Sequence, residues 1–227
     1  MILFTIDTSG KNGRLAIARR DEQGIVVLAE ESLAGGQFSS ELIPKFAAML
    51  ERLQLEKSDV DVLAVVAGPG SFTGLRVGLA AAKGLAEILQ KPLVALSALE
   101  LVAAGSKLGA DVVIAALDAG RGDVFLGHCE LHPKLEVRTR AEMLVKPVEL
   151  AERVRPMNAS LVTPDEKIAT AARDANLSIE TIAAPGPELM AALAFAHLDR
   201  GVTVRPDDLD ANYIRRSDPE IMLASRS

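Results

Sequence analysis

The run Val62-Leu63-Ala64-Val65-Val66-Ala67-Gly68-Pro69-Gly70-Ser71-Phe72-Thr73-Gly74-Leu75-Arg76-Val77-Gly78 decides how the rest of the sequence is read. Residues 62–67 are continuously apolar and short, which predicts a strand. The Gly-Pro-Gly-Ser turn then passes the chain into a helix over 72–89, stopped before Pro92. A strand, a glycine-rich turn and a helix start gather unpaired backbone N–H groups and the positive helix end at one point, which suits an anion such as phosphate. The segment is not a P-loop, because no Gly-Lys-Ser/Thr closes it and Lys83 lies about three turns along the helix. It is not a hydrolase elbow either, since Pro69 and Thr73 stand where glycines would flank the nucleophile Ser71. The alternative is that its glycines serve close packing only.

Upstream, residues 2–6, 13–20 and 25–29 read as strands, the first two joined through a Lys11-Asn12-Gly13 hairpin turn. Leu42, Ile43, Phe46, Met49, Leu50 and Leu53 recur at helical spacing over 39–53, with Pro44 near the first turn. Downstream, 93–96 is a strand, and after the polar, glycine-containing stretch 105–109 the order restarts. Strands are expected at 112–117, 124–131, 135–138 and 160–162, and helices near 148–154, 165–175 and 188–200. Ile6-Asp7-Thr8-Ser9-Gly10 and Leu117-Asp118-Ala119-Gly120-Arg121-Gly122 open the two halves alike, each with a hairpin behind it. The expectation is an α/β chain of duplicated β-β-β-α-β-α units, with lobes at 1–104 and 105–227 and a C-terminal tail able to pack back on the first. That is the plan of actin-like (ASKHA) proteins, in which an Asp closing the first strand of each lobe points at a nucleotide. Asp7 and Asp118 could equally cap their own turns.

Composition narrows the partners. With 227 residues and 49% hydrophobic content the chain can bury a large core. The net charge is −6 and the pI about 5.2, and basic residues come only as scattered pairs such as Arg19-Arg20 and Arg215-Arg216. Without a basic stripe, tight nucleic-acid binding by the chain alone is not expected; with no tryptophan and one tyrosine, neither is a base-stacking platform. The single Cys129 excludes an internal disulfide and suits a reducing compartment. No basic leader precedes Ile2-Leu3-Phe4, and the longest apolar run is far below the roughly 20 residues of a membrane span, so a cytoplasmic protein off the membrane is expected.

Gly70, Gly74, Gly78, Ala82 and Ala86 recur every four residues along the helix after the turn, making a shallow seam for another backbone. The seam packs either within the lobe or on a partner. His128, Cys129 and His132 form the local ligand-type cluster, but on a strand the two histidines sit about 13 Å apart with Cys129 on the opposite face, so one tetrahedral metal cannot take all three. His197 stands alone on an alanine-rich helix and reads as a packed or surface residue.

Gly-Pro-Gly-Ser-Phe-Thr-Gly-Leu-Arg-Val-Gly at 68–78 closely resembles the signature of the TsaB (YeaZ) family of tRNA threonylcarbamoyladenosine biosynthesis proteins. Ile6-Asp7-Thr8, Leu42-Ile43-Pro44, Leu117-Asp118-Ala119 with Asp123-Val124-Phe125, and Tyr213-Ile214-Arg215 match in the same order, so the resemblance spans nearly the whole chain. It implies an actin-like fold and a non-catalytic scaffold or activator. Such a chain forms a homodimer or pairs with the related catalytic subunit TsaD, and the ATPase TsaE joins them. The assembly transfers a threonylcarbamoyl group to N6 of adenosine 37 in tRNAs reading codons that begin with A. The chain would need no cofactor of its own, ATP being bound at the level of the complex, and tRNA would be held mainly through partners.

The departures are local: many relatives carry a histidine where this chain reads Gly36-Gln37-Phe38-Ser39, and Glu and Tyr where it has Asp123 and Phe125. The catalytic relative carries a metal-holding His-x-x-x-His pair after the next strand; the matching positions here are Ala98 and Val102, neither able to ligate. The candidate nucleotide- or anion-binding set is therefore Asp7, Thr8, Gly68, Gly70, Ser71, Thr73 and Asp118, with no catalytic and no metal residues. Because the family dimerises through its first two helices, Leu42, Phe46, Met49, Gly74, Gly78 and Ala82 are the expected partner contact. An ATP-dependent kinase or transferase using Asp7 and Asp118 is the competing reading, and a homodimeric nucleotide-binding module without chemistry is a third.

Overall fold

A computed structural model describes residues 1–214. The first half contains β1 (Ile2–Asp7), β2 (Gly13–Asp21), β3 (Gly24–Leu33), α1 (Phe38–Arg52), β4 (Val60–Gly68), α2 (Phe72–Leu89), β5 (Leu93–Ser97) and α3 (Ala98–Ala104). The second contains β6 (Val112–Gly120), β7 (Asp123–His132), β8 (Glu136–Val145), α4 (Leu150–Val154), β9 (Ser160–Thr163), α5 (Glu166–Asp174), β10 (Ile179–Thr181) and α6 (Pro187–Asp199). Each half is thus β-β-β-α-β-α-β-α, one strand and one helix longer than the expected unit. The sheets have matching orders, β3-β2-β1-β4-β5 and β8-β7-β6-β9-β10. In each, the first three strands are antiparallel and the last two run parallel to the first.

Alternation along β1 and β4 explains the layering. Phe4, Ile6, Leu63 and Val65 point to one face, where they meet Leu42, Phe46 and Met49 of α1 and Leu75 and Leu79 of α2. Leu3, Val62, Ala64 and Val66 point to the other, into a core shared with α3, α6 and the inner face of the second sheet at Val113, Ala115 and Phe125. The outer face of that sheet, with Ile114, Ala116 and Leu126, is covered by α4 and α5. The order of layers is α1/α2, sheet, α3/α6, sheet, α4/α5. The middle helices are exchanged: α3, from the first half, packs on β6 and β7, while α6, from the second, packs on β3 and β5. The chain then returns along the first lobe, Val204 bridging to Leu93 at the edge of the sheet and Leu209 buried at 2% exposure. No helix among the described residues is long and apolar enough to cross a membrane.

Helix α3 is absent from the sequence reading because Ala-Leu-Glu-Leu-Val-Ala is buried at every position and shows no 3.6-residue period. A signal was present in Ser97 and Glu100, a Ser-x-x-Glu capping box whose two reciprocal bonds both form. Pro44 lies in the second turn of α1, on its exposed side, rather than in the first. Strand β8 extends well past 138, pairing with β7 across a register shift at His128/Cys129.

Candidate functional site: the cleft between the lobes

A cleft of about 500 Å³ opens where the two hairpins and the glycine-rich turn converge. One wall is Ser9, Gly10 and Lys11 of the β1–β2 loop with Gly70, Ser71 and Phe72; the facing wall is Asp118 to Arg121 with Phe125, and residues 212–214 close one side.

The turn and the β1–β2 loop are pinned to each other. Ser71 N–H donates to Ser9 O at 2.7 Å, and Ser71 Oγ caps α2 by accepting from Gly74 N–H at 3.3 Å. Two donors that an anion would have used are therefore already committed. Asp7 Oδ1 accepts from Ser9 N–H at 2.9 Å and Ser9 Oγ–H at 2.6 Å; Asp118 Oδ1 accepts from Gly120 N–H at 2.8 Å. Both aspartates thus cap their own turns, the plainer of the two expectations.

Of the candidate binding set, the structure brings Gly70, Ser71 and Asp118 to the cleft wall and leaves the others off it. Thr8 is fully buried, its hydroxyl donating to Gly74 O at 2.8 Å, so it faces α2 rather than a ligand. Thr73 is exposed on the first turn of α2, and Asp7 is not among the residues lining the cleft. Gly68, whose bond to Pro69 is cis, has φ +127°; a Cβ there would stand 2.7 Å from Asn212 O, so its bareness admits residue 212.

The expected partner contact needs a larger correction. Leu42, Phe46 and Met49 are 1%, 3% and 0% exposed, and Ala82 is 0% exposed. Gly74 and Gly78 are also buried, and a Cβ on either would overlap an oxygen of Thr8. The seam is where α2 lies against the end of β1. What these helices present outward is another set, including Ile43 at 47% and Ile88 at 79% exposure, and Gly84 with nothing among the described residues within 4 Å of its Cβ direction.

Behind Asn212 lies a second cavity of about 500 Å³, lined by Gly68, Ser97, Glu100, Arg140 and Glu142 among others. Its acids are spoken for. Glu142 accepts from Ser97 Oγ–H at 3.1 Å and from Asn212 Nδ2; Glu100 accepts from Ser97 N–H at 3.3 Å and pairs with His197 Nε2 at 3.1 Å. His197 is therefore buried and tied to α3 rather than alone, although among the described residues its Nδ1 has no hydrogen-bond partner. In the other histidine cluster, Cys129 is in the core while His132 is exposed and 3.7 Å from Glu130. Burial pushes the Cys129 thiol up to about 12. Among the described residues no group of three or more His, Cys, Asp or Glu is placed to hold a metal. Sequence reasoning overlooked Lys11 and Asn212 at the cleft, and quoted Tyr213 for its resemblance alone, since nothing local marks a residue placed by the returning tail. Arg215 of that motif lies outside the described residues.

Comparison with known proteins agrees with this architecture. The TsaD family profile, described as tRNA N6-adenosine threonylcarbamoyltransferase, matches residues 29–187. The TsaB protein of Escherichia coli K12, named as a tRNA threonylcarbamoyladenosine biosynthesis protein, is 28% identical over 204 residues, 84% of this chain and 86% of the relative. Its Bacillus subtilis namesake is 33% identical over 128 residues, 56% of this chain and 54% of the relative. The solved structure of YeaZ from Pseudomonas aeruginosa shares the fold, with a TM-score of 0.73 at 24% identity over 93% of this chain and 99% of that one. Profile, relatives and fold converge, and the chain belongs to the tRNA N6-adenosine threonylcarbamoyltransferase family, among its TsaB (YeaZ) members.

Proposed function

We propose that this chain is a non-catalytic scaffold and activator that pairs with a TsaD-type subunit in forming threonylcarbamoyladenosine on tRNA, ATP being bound at the level of the assembly. The observation that carries the reading is α3. The positions matching the relative's ligand pair, Ala98 and Val102, are apolar and 7% and 1% exposed, inside the core shared by both lobes. A side chain there packs; it cannot reach a substrate. The kinase or transferase alternative asks Asp7 to face the cleft, but Asp7 is not among the residues lining it and its Oδ1 accepts from Ser9 N–H and Oγ–H.

The outward face of α1 and α2 supports the partner role. Gly84 is exposed in mid-helix, where glycine costs about 1 kcal/mol relative to alanine, and among the described residues nothing lies within 4 Å of its Cβ direction. A partner backbone approaching that face would need the space. The test is sedimentation of this chain with the TsaD-type protein of its own organism. The expected result is a complex that Ile43→Glu or Ile88→Glu weakens without lowering the melting temperature; the absence of any complex overturns the reading.

A further inference from the structure

Two exposed aromatic rings stand side by side at the mouth of the cleft. Phe72, at the start of α2, and Tyr213, on the returning tail, are 38% and 39% exposed, with ring centroids 5.1 Å apart and planes inclined by 39°. Arg76 locks the pair: its guanidinium carbon lies 3.8 Å from the Phe72 centroid and its Nε–H donates to Tyr213 Oη at 3.2 Å. Arg76 is exposed, as is Lys11 on the cleft wall, and among the described residues neither forms an ion pair with a carboxylate.

The rings are held from both sides. Phe72 follows the Ser71 cap that is itself bonded to Ser9. Tyr213 follows Asn212, whose N–H donates to Ala67 O at 2.8 Å and whose side-chain amide reaches Glu142 on the other lobe. Gly68 leaves the room in which Asn212 sits. The sequence, with one tyrosine and no tryptophan, predicts no stacking platform, yet folding brings the rings of residues 72 and 213 together.

We propose that this cluster stacks an unpaired nucleotide of an RNA strand, its base against Phe72 and Tyr213 and its phosphates toward Arg76 and Lys11. The proposal rests on the tRNA reading above. Aromatic faces beside unpaired cations recognise single-stranded nucleic acid without needing base-edge contacts. The turn's Ser71 and Gly74 amides are already bonded, which leaves the side-chain cations at the rim as partners for phosphate. The net charge of −6 makes the binding weak, and two phosphate contacts give it a log–log salt slope of about −1.4.

The test uses the isolated full chain at low salt, with fluorescence anisotropy against an anticodon stem-loop RNA, a fully paired RNA duplex of equal charge, and AMP. Stacking contributes about 1–3 kcal/mol per base, so Tyr213→Ala and Phe72→Leu should each weaken loop binding about fivefold to a hundredfold while leaving duplex binding unchanged. Tyr213→Phe, which keeps the ring, should stay within about twofold, on the same stacking argument. Arg76→Gln should make the salt dependence shallower by about 0.7 in log–log slope, and Arg76→Lys should restore it. The proposal is overturned by any of four results: no saturable loop binding by the wild type, ring variants that bind the loop as well as wild type, equal losses on the duplex, or AMP bound as tightly as the loop. Ring variants that lose only their association with the TsaD-type subunit would make the cluster a protein contact and also overturn it. Association is measured separately by sedimentation, so failure of the partner reading leaves the RNA result legible.

Discussion

Replacing Gly78 by alanine should destabilise the chain while leaving its assembly intact. The added Cβ would overlap Thr8 Oγ1 and come within 3.4 Å of Thr8 Cβ and 3.5 Å of Ile6 Cγ2, in a region with no exposure. Thr8 would have to turn away and give up its 2.8 Å hydrogen bond to Gly74 O. Overpacking of this kind costs about 1–3 kcal/mol and the lost hydrogen bond about 0.5–1.5 kcal/mol, against a helix-propensity gain of about 1 kcal/mol. The net loss is about 0.5–3.5 kcal/mol, which for a chain of this size lowers the melting temperature by roughly 1–14 °C. The pairing with Thr8 makes the reasoning specific. Thr8→Ala removes the obstructing oxygen, so the double variant should be more stable than the sum of the single effects by about 1 kcal/mol or more. Thermal and urea unfolding of the four proteins, with sedimentation of each alone and with the TsaD-type subunit, is the assay. A Gly78→Ala protein that melts like wild type but associates more weakly would refute the internal-seam account.

Three further outcomes are expected. Gly84→Ala, on the open side of the same helix, should raise stability by about 0.5–1 kcal/mol in unfolding experiments while weakening association with the partner, the reverse of Gly78→Ala. The buried thiol of Cys129, pushed up to about 12 from 9.0, keeps its proton in the folded chain while the unfolded chain ionises from about pH 9. Its stabilising contribution is full below pH 9 and is lost progressively between 9 and 12; from pH 8 to 10 wild type should lose about 1.4 kcal/mol more than Cys129→Ala, and alkylation at pH 8 should require unfolding. Glu100→Ala removes the one side-chain partner that His197 has among the described residues, in the core between the lobes, and should cost about 3 kcal/mol by urea titration.

Periodicity revealed the strand–turn–helix at 62–89 because its two elements differ: β4 is apolar without a break from Val62 to Ala67 and α2 is banded. It failed at α3, where the burial is uniform and only the Ser97–Glu100 cap marked a helix, and at β10, which is three residues long. The four-residue recurrence identified correctly the residues a backbone must approach, but nothing in a linear pattern says whose backbone, and the answer was Thr8 at the end of β1. The cleft shows the same limit. Ser71 and Asp118 were legible as ends of elements, whereas Tyr213 meets Phe72 and Arg76 across more than half the chain, through a tail whose course is set by Asn212 and Gly68.

The central claim, that this chain serves a tRNA-modifying transferase without carrying its chemistry, is tested most directly by reconstitution. The chain, the TsaD-type subunit and the TsaE-type ATPase of the same organism are combined, singly and together, with unmodified tRNA and a threonylcarbamoyl donor, and the modified nucleoside is measured by mass spectrometry. The account predicts no product from this chain alone, and product from the transferase that rises when wild-type chain is added. Product from this chain alone, or a transferase indifferent to its presence, would contradict it.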